Sequence, residues 1–127
     1  MYSAKLLDHF EHPRHAGDLP DANMRVRVEN PACGDILELA AEVRDGVVRK
    51  IGFRAKGCVP AMACGSAVAS LIDGQPVAQL LSIRKEDVLR EVESVPAASG
   101  HAVHLALDAL SELWKAATSA ARSCSSL

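Results

Sequence analysis

Apolar residues change their spacing along this chain, and each change marks a new element. Tyr2, Leu6, Leu7 and Phe10 fall on one face of a 3.6-residue repeat, with Ser3 before them as a cap and Pro13 after them as a stop. This predicts a short docking helix. From Met24 to Glu29 apolar and polar positions alternate strictly, from Ile36 to Val43 they alternate loosely, and from Val47 to Ala55 residues Ile51, Phe53 and Ala55 share one side. Asp45-Gly46, between the second and third runs, is a hairpin turn signal. Three strands joined by short connections predict an antiparallel meander.

From Cys58 onward the spacing becomes helical. Pro60 suits a first turn, Met62, Val68, Ala69, Leu71 and Ile72 supply an apolar body, and Gly74 ends it. Short helices are predicted at about Val77 to Leu81 and Glu86 to Glu93. The last helix has the clearest pattern: Val103, Ala106, Leu107, Leu110, Leu113, Trp114 and Ala117 recur at three, four and seven, behind Ser99 as a cap. Its serine-rich end, Ser119 to Leu127, is expected to fray. Strands first and helices afterwards predict an α+β fold: a three-stranded antiparallel sheet with helices packed on one face and a long C-terminal helix. Residues 1–127 are expected to form a single domain.

Composition narrows the function. With 127 residues and 49% hydrophobic content, the chain can bury one core without disulfides. Fourteen Lys and Arg against sixteen Asp and Glu give a net charge of -2, which lacks the basic footprint of a nucleic-acid binder. Asp8 and Glu11 interrupt the apolar pattern of the first twelve residues, unlike a secretory signal, and no run approaches the roughly 20 apolar residues that cross a bilayer. No membrane partner and a cytoplasmic location are therefore expected. In a reducing compartment the four cysteines, at 33, 58, 64 and 124, are metal ligands, reactive thiols or core residues rather than a disulfide framework.

Two of them stand on turns. Cys33 lies in Asn30-Pro31-Ala32-Cys33-Gly34-Asp35 and Cys58 in Lys56-Gly57-Cys58, each beside a glycine that permits unusual backbone conformations. With Asp35 and with His101, at the start of the last helix, they offer two sulfurs, a carboxylate and an imidazole, a metal-binding set. Cys58 and His101 each start a helix, whose amides and dipole favour a thiolate or a bound anion. Taken singly, Asp35 is a turn cap and His101 a polar residue of a first helical turn. Cys64, inside the apolar helix, reads as core packing, and Cys124 as idle. His9, His12 and His15 read as a solvated helix end, and His104 shares a solvated stripe with Asp108, Ser111 and Lys115.

The order of these segments carries a resemblance. Tyr2-Ser3, Asp8-His9-Phe10-Glu11-His12-Pro13-Arg14, the loop from Asn30 to Asp35, Phe53-Arg54-Ala55-Lys56-Gly57-Cys58 with the helix to Ser66, and Pro96 to His101 with Leu105-Ala106 through Ala109-Leu110 resemble the iron-sulfur cluster assembly scaffolds of the IscU, SufU and NifU N-terminal type. The likeness spans nearly the whole chain and is most specific in the first two loops. It implies a scaffold, not an enzyme, on which a [2Fe-2S] or [4Fe-4S] cluster is built from iron and from sulfur delivered by a cysteine desulfurase, then passed to acceptor apo-proteins. The family's ligand roles fall on Cys33, Asp35, Cys58 and His101. Mixed thiolate, carboxylate and imidazole ligation suits a labile cluster better than four thiolates.

This sequence departs from the family pattern twice. The third family cysteine would follow His101, where Ala102 stands, so one thiolate is missing. Three alternatives follow: His101 ligates in its place, Cys64 is recruited although a helix turns the two about 120° apart over the six residues from Cys58, or the chain serves another role. Val95-Pro96-Ala97-Ala98-Ser99 replaces the Leu-Pro-Pro-Val-Lys chaperone-docking sequence of some relatives, so the resemblance does not extend to handover through that specialised chaperone. Two other functions compete with the cluster scaffold. One is a SufU-like sulfur acceptor holding Zn2+ through Cys33, Asp35, Cys58 and one further donor. The other is a thiol enzyme in which His101 activates Cys33 or Cys58.

Overall fold

The structure, a computed structural model, describes residues 2–31, 34–96 and 100–125, with side chains as far as residue 119. Eight elements follow one another: helix α1 (Ala4–Glu11), strands β1 (Met24–Asn30), β2 (Asp35–Arg44) and β3 (Val47–Lys56), helix α2 (Val59–Ile72), a 3₁₀ helix (Val77–Ser82), helix α3 (Lys85–Val92) and helix α4 (His101–Ser125). The strands form the predicted antiparallel meander in the order β1-β2-β3. Asp45 and Gly46 both have positive φ, as the β2–β3 turn requires.

Register sets which side chains meet. Val26, Leu39 and Phe53 lie abreast, as do Val28, Leu37 and Ala55, so one face of the sheet is apolar. Helix α2 covers that face over β3 and α4 covers it over β1 and β2, sealing Leu37, Leu39, Val68, Ile72, Val103 and Leu110 into one core. The approach is close at Gly65, where a Cβ would stand 2.9 Å from the Phe53 ring and 3.1 Å from Leu37. Only a residue without a side chain lets α2 lie that near the sheet.

The opposite face is not bare. Between α1 and β1 the chain runs beside β3, with Phe53 N–H donating to His15 C=O and Gly17 N–H to Phe53 C=O, both at 2.9 Å. Leu19 and the Gly17 carbonyl then cover Gly52, which is buried. Nothing in the residue pattern announces this segment as a strand partner.

Helix α1 is capped as predicted, the Ser3 hydroxyl accepting from Leu6 N–H, and it docks on α2 and α3. Leu6 is buried, whereas Leu7, expected on the same face, is 36% exposed. Leu7 is one residue and 100° of helical turn from Leu6, too far round to share its contact. Helix α4 carries on through Ser125, past the point where its serines predict fraying, and its expected cap, Ser99, lies outside the described residues. Among the described residues no helix is long and apolar enough to cross a membrane.

Candidate metal centre

Three separated turns bring three donors together. Asp35 is the first residue of β2, Cys58 the cap of α2 and His101 the first residue of α4. The Cys58 Sγ lies 3.2 Å from Asp35 Oδ2 and 3.8 Å from His101 Nε2, and that nitrogen lies 3.2 Å from the same Oδ2. All three ligand atoms fall within 4.8 Å of one another. Metal bonds of about 2.0–2.3 Å in a tetrahedron set donors about 3.3–3.8 Å apart, so this spacing fits donors sharing one ion. Cys33, the fourth member of the predicted set, lies outside the described residues.

Local structure explains why each donor points inward. Gly34 turns the chain with φ of 77° and its N–H closes on Asn30 C=O at 2.7 Å, delivering Asp35 to the start of β2. There the carboxylate is 4% exposed, a position that needs partners for its charge. Cys58 N–H donates to Oδ1 at 3.3 Å and the Cys58 thiol donates to Oδ2. Gly57, with φ of 149°, passes directly beside that carboxylate. Cys58 caps α2 with an extended backbone, and its sulfur faces Asp35 and His101.

The expected preference for a thiolate at Cys58 is not realised in the metal-free chain. Burial pushes the thiol up from its usual range, and Asp35 adds to this by accepting the thiol's proton and repelling its anion, against the opposing pull of the Ala61 and Cys58 amides. The helix-start amides do pull toward the thiolate, but burial and the Asp35 carboxylate together outweigh them. A cation between the three donors would reverse the balance, because it would attract sulfur and carboxylate alike.

Cys64 is fully buried and its thiol is pushed up to about 12 by burial and by the neighbouring Cys58. It packs in the core and stands outside the donor group, consistent with core packing and not with recruitment. Ala102, at the position of the missing family cysteine, is 1% exposed and belongs to the same core. The side chain of Cys124 lies outside the described residues.

One group that reads as solvated proves to be structural. His9 is 6% exposed, its Nδ1 2.8 Å from the Ser66 hydroxyl of α2 and its Nε2 3.8 Å from Glu91 of α3. Ser66, also buried, accepts from Arg14 N–H at 2.8 Å. Burial, helped by the Arg14 charge, holds the His9 ring below the usual imidazole range. The knot ties α1 and the loop after it to α2 and α3. His12 and His15 are exposed, as a wet helix end predicts, and only the placement of α2 and α3 reveals that His9 is not.

Comparison with known proteins agrees with this architecture. The profile of the NifU-like N terminal domain matches residues 1–119. The chain is 34% identical over 110 residues to the iron-sulfur cluster assembly scaffold protein IscU 1 of Archaeoglobus fulgidus, covering 87% of this chain and 72% of that protein. It is 34% identical over 113 residues to the IscU scaffold protein of Escherichia coli K12, covering 86% and 88%. Among solved structures, the N-terminal part of a NifU-like protein from Brucella abortus superposes with a TM-score of 0.74 at 18% identity, covering 89% of this chain and 91% of that one. That likeness concerns the fold.

Proposed function

This chain belongs to the NifU-like N-terminal domain family, and from that premise we propose that it is a scaffold for iron-sulfur cluster assembly, with the cluster as its cargo and no catalytic turnover of its own. One observation carries the proposal: a sulfur, an oxygen and a nitrogen from three separate turns, spaced as donors around one metal. In the proposed site Cys33, Asp35, Cys58 and His101 hold iron, a cysteine desulfurase supplies the sulfur, and acceptor apo-proteins take the finished [2Fe-2S] or [4Fe-4S] unit.

The residues divide the work by softness. Cys58 gives the tight bond once its proton is lost to solvent, which breaks the hydrogen bond that it now donates to Asp35 and frees both groups to bind the metal. Asp35 and His101 give harder, more exchangeable bonds, so the cargo can leave. In this scheme His101 takes the role of the missing thiolate at Ala102.

Anaerobic reconstitution with iron and sulfide tests the proposal. Visible sulfide-to-iron charge-transfer bands with iron and acid-labile sulfide are expected, and Cys58→Ser is expected to abolish them. Stoichiometric colourless zinc that iron cannot displace would replace the scaffold with a zinc-bound sulfur acceptor. Binding of neither metal would refute both.

A further inference from the structure

We propose that Gly57 is a positioning residue for Asp35: its bare Cα leaves open the notch in which the carboxylate sits, and thereby aims the oxygen donor at Cys58 and His101. As a refinement of the metal centre this rests on the scaffold proposal, although its geometry stands on the metal-free chain. A Cβ at residue 57 would lie 2.2 Å from Asp35 Oδ1, 2.6 Å from Cγ and 3.0 Å from Cβ. Swinging the carboxylate about its last bond relieves the first of these collisions and not the second, since Cγ does not move in that rotation. The whole carboxyl group must leave by turning about Cα–Cβ, a rotation that leaves the 3.0 Å contact at Asp35 Cβ to a small backbone adjustment. That motion gives up three contacts together: Cys58 N–H at 3.3 Å, Cys58 Sγ at 3.2 Å and His101 Nε2 at 3.2 Å.

Gly57 does a second thing at the same point. Its φ of 149° is one that side-chain-bearing residues rarely adopt, so any substitution also strains the backbone. The two effects separate in a double-variant cycle, because the severe collisions with Oδ1 and Cγ disappear when Asp35 is alanine, while the 3.0 Å contact at its Cβ and the backbone strain remain.

The experiment uses the full metal-free chain in four forms: parent, Gly57→Ala, Asp35→Ala and the double variant. The first readout is the side-chain ¹⁵N shift of His101 at fixed pH without metal. Gly57→Ala is expected to shift it as Asp35→Ala does, and the double variant to add nothing. The second readout is Co2+ titration followed by visible absorption. Gly57→Ala is expected to lower Co2+ affinity about 10- to 100-fold and to give the Asp35→Ala spectrum. Should Gly57→Ala fail to fold while the double variant folds, the collision is shown by the rescue. A parent-like His101 shift in Gly57→Ala, or equal destabilisation in both backgrounds, would overturn the inference. A parent that binds no Co2+ would refute the scaffold proposal and leave the His101 readout to judge Gly57.

Discussion

Replacing Asp35 by asparagine keeps the side chain's size and deletes one negative charge 3.2 Å from the Cys58 sulfur. At that separation a unit charge is worth about 1.3 kcal/mol even with the full screening of water. That energy is about a tenfold factor in an equilibrium constant. The carboxylate pushes Cys58 up, so its removal brings the thiol down, and the thiolate fraction near neutral pH rises about tenfold. A thiol of lower pKa is also a poorer nucleophile, by about 0.4–0.5 of the change on a logarithmic scale, which leaves a net rate gain of about three- to fourfold. The assay is reaction of the metal-free chain with dithiodipyridine, quenched in time and quantified at Cys58 by peptide mass spectrometry. Cys64, fully buried, serves as the control that reacts only when the fold opens. A Cys58 rate in Asp35→Asn equal to or below that of the parent would refute the carboxylate's control over the thiol.

Other outcomes follow from the same geometry. Co2+ binding must release the Cys58 proton, so affinity is expected to climb about tenfold per pH unit below the thiol's raised value, and a flat titration between pH 6 and 8 would remove Cys58 from the ligand set. Cys64 is neutral in the fold to about pH 12 and to about 9 when unfolded, so its contribution is complete below the unfolded value and lost as pH rises through the folded one. Denaturation of the metal-free chain is expected to show stability falling from about pH 9 upward by a few kcal/mol, and Cys64→Ala should flatten that slope. Ser66→Ala deprives both His9 and the Arg14 amide of a buried partner and is expected to cost about 1–3 kcal/mol in urea unfolding while leaving Co2+ binding to the refolded chain unchanged.

Much of this fold is written in short-range pattern. Period-two alternation gives all three strands, and the three-four repeat from Val103 to Ala117 gives α4, because in each case burial of one face is the only thing the pattern has to encode. Gly34, Gly57 and Pro60 likewise mark the turns that carry donors. Asp35, Cys58 and His101 are legible as candidates for that reason, and the family resemblance assembles them into a set. Their spacing in space is a product of packing and is not legible. Nor are the features that depend on two elements at once: the His9–Ser66 knot, the segment around Gly17 that lies along β3, and the shift of register between Glu42 and Val43. The raised Cys58 thiol belongs with these, since a cap position suggests the opposite sign until its burial and the neighbouring carboxylate are known.

Each donor occupies a threshold, the residue at which a connection gives way to a regular element, while the stretches behind them, at Leu37, Ala61 and Val103, are shut away from water. The donors thus stand at the rim of a closed vessel. On the scaffold proposal, a guest would be held and released at that rim, outside the sealed interior.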